Sequence, residues 1–296
     1  MPVLERTRME NHGNKKRICM IAAWGRYPIY VARALKARGY SVHCLGVRGL
    51  ADRKALSEIC DFYCPVGIAH LGKIIRHMRR HKIHDVIALG KVHKSALFRP
   101  FGIIQLFPDF TTLRVFTAHF ITRTKDCKDD TLMKCIIRLF EKFGFKFGVP
   151  TDYAPDLLVQ GGILTQRKPS DIQWRDINYG MLVAKELGRF DIGQSVLVAN
   201  GIIIALEALE GTDLCIQRAG ELYQRGGLVL VKMAKPHQDM RFDVPTIGMN
   251  TMENFARAGG KVIALEAGKT IVVDLHDVIR FANQHGISIV ALPSAE

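Results

Sequence analysis

The sequence lacks several things. No apolar run reaches the roughly 18 residues that a membrane span requires. The segment from Met1 to Arg17 is charged and has no apolar stretch leading to a small-residue cleavage site, so a secretory signal is not expected. The seven cysteines (19, 44, 60, 64, 127, 135, 215) form no Cys-x-x-Cys pair, and reduced thiols in a cytoplasmic protein are the expectation. Cys60 and Cys64 could share a helix face, but no histidine pair at ligand spacing accompanies them, so a zinc site there is not expected. Motifs that cradle phosphates are also missing: no Gly-x-x-x-x-Gly-Lys-Ser/Thr loop, and no Gly-x-Gly-x-x-Gly after the first strand. There is no Gly-x-Ser-x-Gly elbow, no Nudix box and no Asn-His-Asp stretch. Aromatics are scarce, 8% overall, and in the basic half they lack the spacing that stacks bases, so no nucleic-acid module is expected.

Acidic residues are short in one half only. Residues 1–150 carry 28 basic and 11 acidic side chains, a net of +17, whereas residues 151–296 carry 14 and 17, a net of −3. The basic half suits an anionic partner: a phosphate ester, an anionic lipid surface or a nucleic acid. With 296 residues, 48% of them hydrophobic and 24% charged, the chain reads as an ordinary globular protein of two domains or one large one.

Residues 1–16 read as a disordered arm. The apolar strand Ile18–Ala23 runs into Trp24-Gly25-Arg26-Tyr27-Pro28. A helix over Ile29–Arg38 stops at Gly39, and a strand follows over Val42–Val47, giving a βαβ opening. Pro28 fits a first helical turn, where its missing N–H is not needed. Helix Ala55–Cys60, strand Phe62–Val66, basic helix Leu71–His81 and strand Asp85–Leu89 continue the alternation. The pattern predicts a Rossmann-like parallel-sheet domain over 17–149, with ligands beyond the carboxyl ends of its strands. Gly25-Arg26 and Gly90-Lys91 stand at two such ends and are candidate phosphate contacts. The apolar stretch Leu97–Phe107 reads either as core or as a patch touching lipid. Thr131–Phe143 is a helix, begun by Lys128-Asp129-Asp130 and ended by Gly144.

Residues 150–163 read as a linker, and 164–296 as an α+β domain. A helix over Ser170–Leu187, capped by Ser170, is expected to end at Gly188. Two apolar runs around Asn200-Gly201 predict a hairpin. Strands are expected at Leu228–Met233, Val262–Leu265 and Thr270–Val273, the last two joined by a turn through Gly268. Helices are expected at Thr212–Leu222, Thr251–Ala258 and Asp277–His285, with a final strand at Ile287–Leu292.

Three segments of this half gather carboxylates beside glycines and amides: Asp191-Ile192-Gly193-Gln194, Glu207-Ala208-Leu209-Glu210-Gly211-Thr212-Asp213, and Lys235 to Thr246. Mg²⁺ takes oxygen ligands, and one or two carboxylates plus substrate phosphates are enough for it. The second segment also reads as a tight turn with Thr212 or Asp213 as helix N-cap, and the two readings are compatible. Arg241 and Asp243 would share a face on a strand, where a local ion pair is the plainer reading. Lys235, His237 and Arg241 close to acids make the mixed cluster that phosphoanhydride cleavage requires, and equally a solvated charged loop.

Taken together, these residues resemble the LpxI family of UDP-2,3-diacylglucosamine pyrophosphatases, which act in lipid A synthesis. The motifs bearing the resemblance are Gly25-Arg26-x-Pro28, Leu71-Gly72-Lys73, Gly90-Lys91-Val92, Lys128-Asp129-Asp130, Asp191-Ile192-Gly193-Gln194, Glu207-Ala208-x-Glu210-Gly211-Thr212-Asp213 and Lys235-Pro236-x-Gln238-x-x-Arg241-x-Asp243-x-Pro245-Thr246. The resemblance implies two domains joined by a linker and an acylated substrate held between them. It also implies Mg²⁺-dependent hydrolysis to 2,3-diacylglucosamine 1-phosphate (lipid X) and UMP. By motif position, Asp243 corresponds to the essential Asp of the family. Asp213 and Glu210 are the next catalytic candidates, and Asp243 with Asp213 are the expected metal ligands. Gly25, Arg26, Lys91, Asp191, Gln194, Thr212, Lys235, Gln238, Arg241 and Thr246 are the expected substrate contacts. Two positions depart from the family pattern: Ala22-Ala23-Trp24 stand where members have glycines, and Lys128 replaces the usual Gly. The expected location is the cytoplasm, peripheral on an anionic inner-membrane surface. A homodimer is left open. The alternative function is a non-catalytic protein that binds nucleotide-sugars or acidic lipids.

Overall fold

The computed structural model describes residues 15–90, 109–113 and 129–293. The expected arm, Lys91 and the apolar stretch Leu97–Phe107 lie outside the described residues, apart from the last two positions of the arm. The chain divides into two compact units, with the boundary between Ala154 and Pro155.

The first unit runs β1 (Arg17–Ala22), α1 (Tyr27–Ala37), β2 (Ser41–Val47), α2 (Arg53–Ile59), β3 (Phe62–Val66), α3 (Leu71–Arg80), β4 (Asp85–Leu89), α4 (Asp129–Lys142), β5 (Lys146–Phe147) and α5 (Pro150–Tyr153). The five strands form a parallel sheet in the order β3-β2-β1-β4-β5. The order reverses at β1: two strands are laid down on one side of it and two on the other. The carboxyl ends of β1 and β4 therefore flank the switch point, the place where such sheets bind ligands. Central strands carry near-continuous apolar runs (Ile18, Cys19 and Met20 are fully buried), as a sheet covered on both faces requires.

Pro28 lies in the first turn of α1, as the sequence predicts. Helix α3 has no cap of its own at His70. Its first amides are held from a distant segment: Thr112 Oγ1 accepts from Leu71 N–H at 3.0 Å, and Asp109 Oδ2 accepts from Lys73 N–H at 3.0 Å. A Cβ on Gly72 would lie 2.7 Å from Asp109 Oδ2, which is why the Leu71-Gly72-Lys73 motif has glycine at its centre. Cys60 follows α2 as its C-cap while Cys64 lies in β3, so the two do not share a helix face.

The second unit comprises β6 (Gly162–Ile163), α6 (Asp171–Arg189), β7 (Ser195–Ala199), β8 (Ile202–Leu206), α7 (Thr212–Leu222), β9 (Leu228–Lys232), β10 (Thr246–Ile247), α8 (Met249–Arg257), β11 (Gly260–Glu266), β12 (Ile271–Val272), α9 (Leu275–Gln284) and β13 (Ser288–Leu292). Six strands form a mixed sheet, β6-β13-β11-β9-β7-β8, in which β9, β11 and β13 are parallel and β6, β7 and β8 antiparallel to their neighbours. Ile177 and Ala184 of α6 pack with Val196, Val198, Val229 and Val231 on one face. Ile216, Met252, Phe255 and Val278 of the other helices pack with Leu197, Leu230, Ile263 and Ile289 on the opposite face.

Helix α6 begins with the capping box of Ser170 and Gln173. It continues through Gly188 to Arg189 instead of stopping there, because this glycine serves packing: a Cβ would meet Pro236 Cδ at 2.8 Å. The β7–β8 hairpin turns through Asn200 and Gly201, both at positive φ (49° and 75°), as a primed turn demands. Buried Asp176 of α6 accepts from the N–H groups of both, at 2.9 and 2.7 Å. The expected linker is itself folded. It contains α5, a 3₁₀ turn at Pro155–Leu157, and β6, which pairs antiparallel with β13. Strand β12 pairs parallel with β10 and not with β11, its neighbour in sequence.

Candidate functional site

In the second unit β7 runs antiparallel to β9, so Ser195 at the start of β7 lies opposite Lys232 at the end of β9. The end of β8 pairs with the start of β7. Three loops that are distant in sequence therefore open at one end of one sheet: 190–194, 207–211 and 233–245. These are the three segments rich in carboxylates and amides.

Direct contacts join them. Lys235 Nζ is 2.6 Å from Asp191 Oδ1. Gln238 Nε2 donates to Gln194 Oε1 at 3.4 Å and to Asp243 Oδ2 at 2.6 Å, while its Oε1 accepts from Lys235 N–H at 2.7 Å. Met233 N–H donates to Gln194 O at 3.0 Å. A Cβ on Gly193 would lie 2.0 Å from the backbone oxygen of Glu207, so only glycine lets the first two loops meet. Asp191 holds φ +57° at the start of its loop, a left-handed conformation that Asp tolerates better than most residues. Asp191, Gln194, Lys235, Gln238 and Asp243 thus form one bonded chain, half-buried at the sheet end.

Other candidates are placed differently. Arg241 lies in a turn and Asp243 just after it, neither on a strand, and Arg241 pairs with Asp239: Nη2 to Oδ2 at 2.7 Å and Nε to Oδ1 at 2.9 Å, a two-pronged pair. Asp243 N–H donates to Asp239 O at 3.1 Å. Thr246 opens β10 and donates its hydroxyl to Val244 O. Glu210 is bound by Arg218 at 2.6 Å and by Ala208 N–H. Asp213 accepts from Asn250 and from Thr251 of α8, at 2.6 and 2.9 Å. The N-cap of α7 is Gly211 at φ +84°, so neither Thr212 nor Asp213 caps it; both lie inside the first turn. Among the described residues Asp243, Asp213 and Glu210 do not belong to a ready-made cluster of three metal donors.

Thr212 reaches inward. Its Oγ1 accepts from Lys232 Nζ at 2.7 Å, donates to Glu207 Oε1 at 3.0 Å, and lies 3.3 Å from Ser195 Oγ. Lys232 also donates to Ser195 at 3.2 Å and faces Glu207 Oε2 at 3.9 Å. Lys232 is 2% exposed. Beside it, buried Glu266 at the end of β11 accepts from Ala234 N–H at 2.8 Å. Of this floor of buried charge, Lys232, Glu266 and Ser195 were not among the sequence candidates, and Glu207 stood only as part of the second carboxylate segment. A signal for it exists: β9 and β11, and β8 with the residue after it, read as apolar runs closed by a single charged residue at the site end.

In the first unit Gly25 (φ +110°) and Gly90 (φ +90°) follow β1 and β4 at the switch point. The loops touch: a Cβ on Gly90 would lie 2.7 Å from Trp24 O. Arg26 precedes α1 and is exposed, its guanidinium 5.8 Å from the Tyr30 ring centroid. Trp24 is 51% exposed.

Fold and sites together define a protein of two α/β units, each with charged or glycine-bearing loops at the carboxyl ends of parallel strands. Comparison with known proteins makes this specific. Residues 17–157 match the LpxI N-terminal domain family and residues 160–290 the LpxI C-terminal domain family. The chain is 32% identical over 290 residues to the UDP-2,3-diacylglucosamine pyrophosphatase LpxI of Caulobacter vibrioides, covering 95% of this chain and 99% of that protein. The chain belongs to the LpxI family.

Proposed function

We propose that the protein is a Mg²⁺-dependent hydrolase that cleaves the diphosphate of UDP-2,3-diacylglucosamine into UMP and 2,3-diacylglucosamine 1-phosphate, a step of lipid A synthesis. The observation that carries this reading is the convergence of three loops, bearing Asp191, Gln194, Lys235, Gln238, Arg241 and Asp243, at one sheet end. The similarity to a relative named for this activity supports it.

The donor set suits Mg²⁺, which keeps several waters and needs only one or two carboxylates beside substrate phosphates. Asp243, held by Gln238, would be the first ligand, and Asp213, now bonded to Asn250 and Thr251 of α8, would be the second. When bound, the ion neutralises charge on the phosphate oxygens. Lys235 and Arg241, now paired with Asp191 and Asp239, turn their N–H groups to those oxygens, and Arg241 can do so with two parallel bonds. Asp243 orients the attacking water. The water oxygen bonds to one phosphorus, the bridging P–O bond breaks, and the bridge oxygen leaves on the other phosphate. Thr212, fixed from below by Lys232 and Glu207, and Glu210, fixed by Arg218, shape the wall of the site.

The same loops and the first turn of α7 carry exposed apolar side chains: Phe190 (73%), Ile192 (48%), Leu209 (88%) and Leu214 (57%). An apolar rim around a polar diphosphate site suits an acylated sugar better than a soluble nucleotide. The net charge of +17 on residues 1–150 would draw the protein to an anionic leaflet, at roughly 1 kcal/mol per basic residue near the surface. No helix among the described residues is long and apolar enough to cross a membrane.

The test is UMP release from UDP-2,3-diacylglucosamine by the purified protein with Mg²⁺. Asp243→Asn should reduce it by about 10²–10⁴-fold, the range that a positioned acid or base supplies. Absence of UMP from the wild type, or full activity in Asp243→Asn, overturns the proposal.

A further inference from the structure

A second cluster of chemistry-bearing side chains lies in the first unit and shares no residue with the site proposed above. His77 sits near the end of α3 and His81 follows as its C-cap, four residues on and therefore on the same helix face. Beneath them His43 of β2, 9% exposed, faces the helix. His43 Nδ1 is 3.1 Å from His77 Nε2. The three ring centroids lie 4.4 to 5.2 Å apart, and Phe62 of β3 stacks on His77 at 4.6 Å. One ring nitrogen from each histidine lies within 4.8 Å of the other two.

Three imidazoles packed this closely cannot all be charged without strong repulsion. As free bases each keeps one nitrogen lone pair, and a single shared proton joins His43 to His77. A tetrahedral ion with nitrogen ligands at about 2.0–2.1 Å sets those nitrogens about 3.3 Å apart. The 3.1 Å pair already has that spacing, and His81 reaches it by side-chain rotation at the half-exposed helix end. The ligands are imidazole nitrogens only, borderline in softness, which suits zinc, nickel, cobalt or copper over Mg²⁺.

His77 and His81, with Phe62, Lys73, Arg76 and Arg80, line a cavity of about 560 Å³. We propose that His43, His77 and His81 bind one divalent transition-metal ion of the zinc class, with its fourth position open to this basic cavity. The lysine and arginines oppose a bare cation and favour an anion as the fourth ligand. The ion takes the place of the hydrogen between His43 and His77, which moves to the other nitrogen of its own ring, so that both ligands stay neutral. Three protein ligands and an open position are the arrangement of zinc sites that exchange ligands, in contrast to closed structural sites.

The experiment uses the full chain, freed of metal by a chelator and titrated with Co²⁺ and Zn²⁺ in excess Mg²⁺. One equivalent should bind, and Co²⁺ should show the intense visible bands of a tetrahedral nitrogen site. Inorganic phosphate should then shift those bands by entering the fourth position. His77→Phe should weaken binding by more than about 100-fold, beyond the ~10–100-fold that losing an outer partner costs. His81→Gln, at the exposed end of the helix, is the second variant should the first fail to fold. Asp243→Asn should bind zinc as the wild type does, which separates this site from the proposed Mg²⁺ site. No stoichiometric binding by the wild type, or unchanged binding in a folded His77→Phe or His81→Gln chain, overturns the site. Bands indifferent to phosphate overturn the open position.

Discussion

Removing the charge of Lys232 tests the buried floor of the candidate site. Lys232 is 2% exposed, and its Nζ is bonded to Thr212 at 2.7 Å and Ser195 at 3.2 Å, with Glu207 Oε2 at 3.9 Å. Glu207 is 7% exposed, and its Oε2 accepts no hydrogen bond. The ammonium is therefore the compensation for that buried oxygen. Lys232→Met keeps the apolar stem and most of the volume but leaves a carboxylate buried without its cation. Losing one member of a buried pair costs about 3–5 kcal/mol. Lys232→Met with Glu207→Gln removes both charges, and the double variant should recover about 2 kcal/mol or more relative to the sum of the singles.

The chain has two tryptophans, Trp24 in the first unit and Trp174 in α6 of the second. In a Trp24→Phe background, urea unfolding followed by fluorescence reports the second unit, avoiding a single two-state fit to a two-unit chain. A cost below about 1 kcal/mol for Lys232→Met would refute the reasoning. So would additivity of the cycle to within the ~0.5 kcal/mol seen for independent sites, because the pair would then not be coupled.

Other outcomes follow from the same contacts. Gly193→Ala forces a methyl group to within 2.0 Å of Glu207 O and should part the first two loops, at about 1–3 kcal/mol in urea unfolding together with loss of UMP release. Asp176→Leu strands the Asn200 and Gly201 amides of the hairpin turn and should cost about 1–3 kcal/mol, with little change if those amides are instead hydrated. Partial burial pushes the Asp61 carboxyl up, but the bonds from Lys36 (2.6 Å) and Val42 N–H outweigh it and hold the carboxyl below its usual range. A carboxylate lowered on folding stabilises above its unfolded value of 3.8, and the contribution disappears as pH falls through the folded value. Asp61→Asn should therefore cost no more than about 1 kcal/mol at pH 7 for so exposed a pair, and the deficit should vanish at strongly acid pH; a deficit that grows on acidification would show the opposite linkage.

The order of elements was legible in the sequence because apolar runs and glycine stops follow local rules. The hairpin at Asn200-Gly201 and the cap at Ser170 fell where expected, since each depends on residues within a few positions. Gly188 misled because the requirement it meets is tertiary: the approach of Pro236 to α6 is invisible in a helix-stop rule. The second segment misled similarly. Thr212 and Asp213 are good capping residues, but Thr212 turns to Lys232 and Asp213 to α8, so glycine takes the cap. Arg241 and Asp243 looked like one pair because a strand was assumed, and once the segment is a turn Arg241 folds back onto Asp239. The expectation that no histidine pair stands at ligand spacing beside Cys60 and Cys64 missed His77 and His81, which are four residues apart at the end of α3; the third histidine of the cluster, His43, comes from β2, 34 residues before His77.

Why three loops meet at all is a matter of strand direction. Parallel strands β9 and β11 deliver their carboxyl ends to one edge of the sheet, and antiparallel β7 delivers its amino end to that edge. The hairpin then returns the end of β8 to the same place. Residues 190–194, 207–211 and 233–245 are thus neighbours by topology, before any side chain is chosen. Side chains decide the rest: glycine at 193 lets the first two loops touch, and the amide of Gln238 joins the first to the third, donating to Gln194 and Asp243 while accepting from Lys235. A carboxylate in that place cannot donate, so Gln238→Glu should cut UMP release even though size and shape are kept. Gln238→Asn keeps the chemistry but shortens the reach, and should fall as far. If both variants retain wild-type turnover, the bonded chain through Gln238 does not hold Asp243 for catalysis.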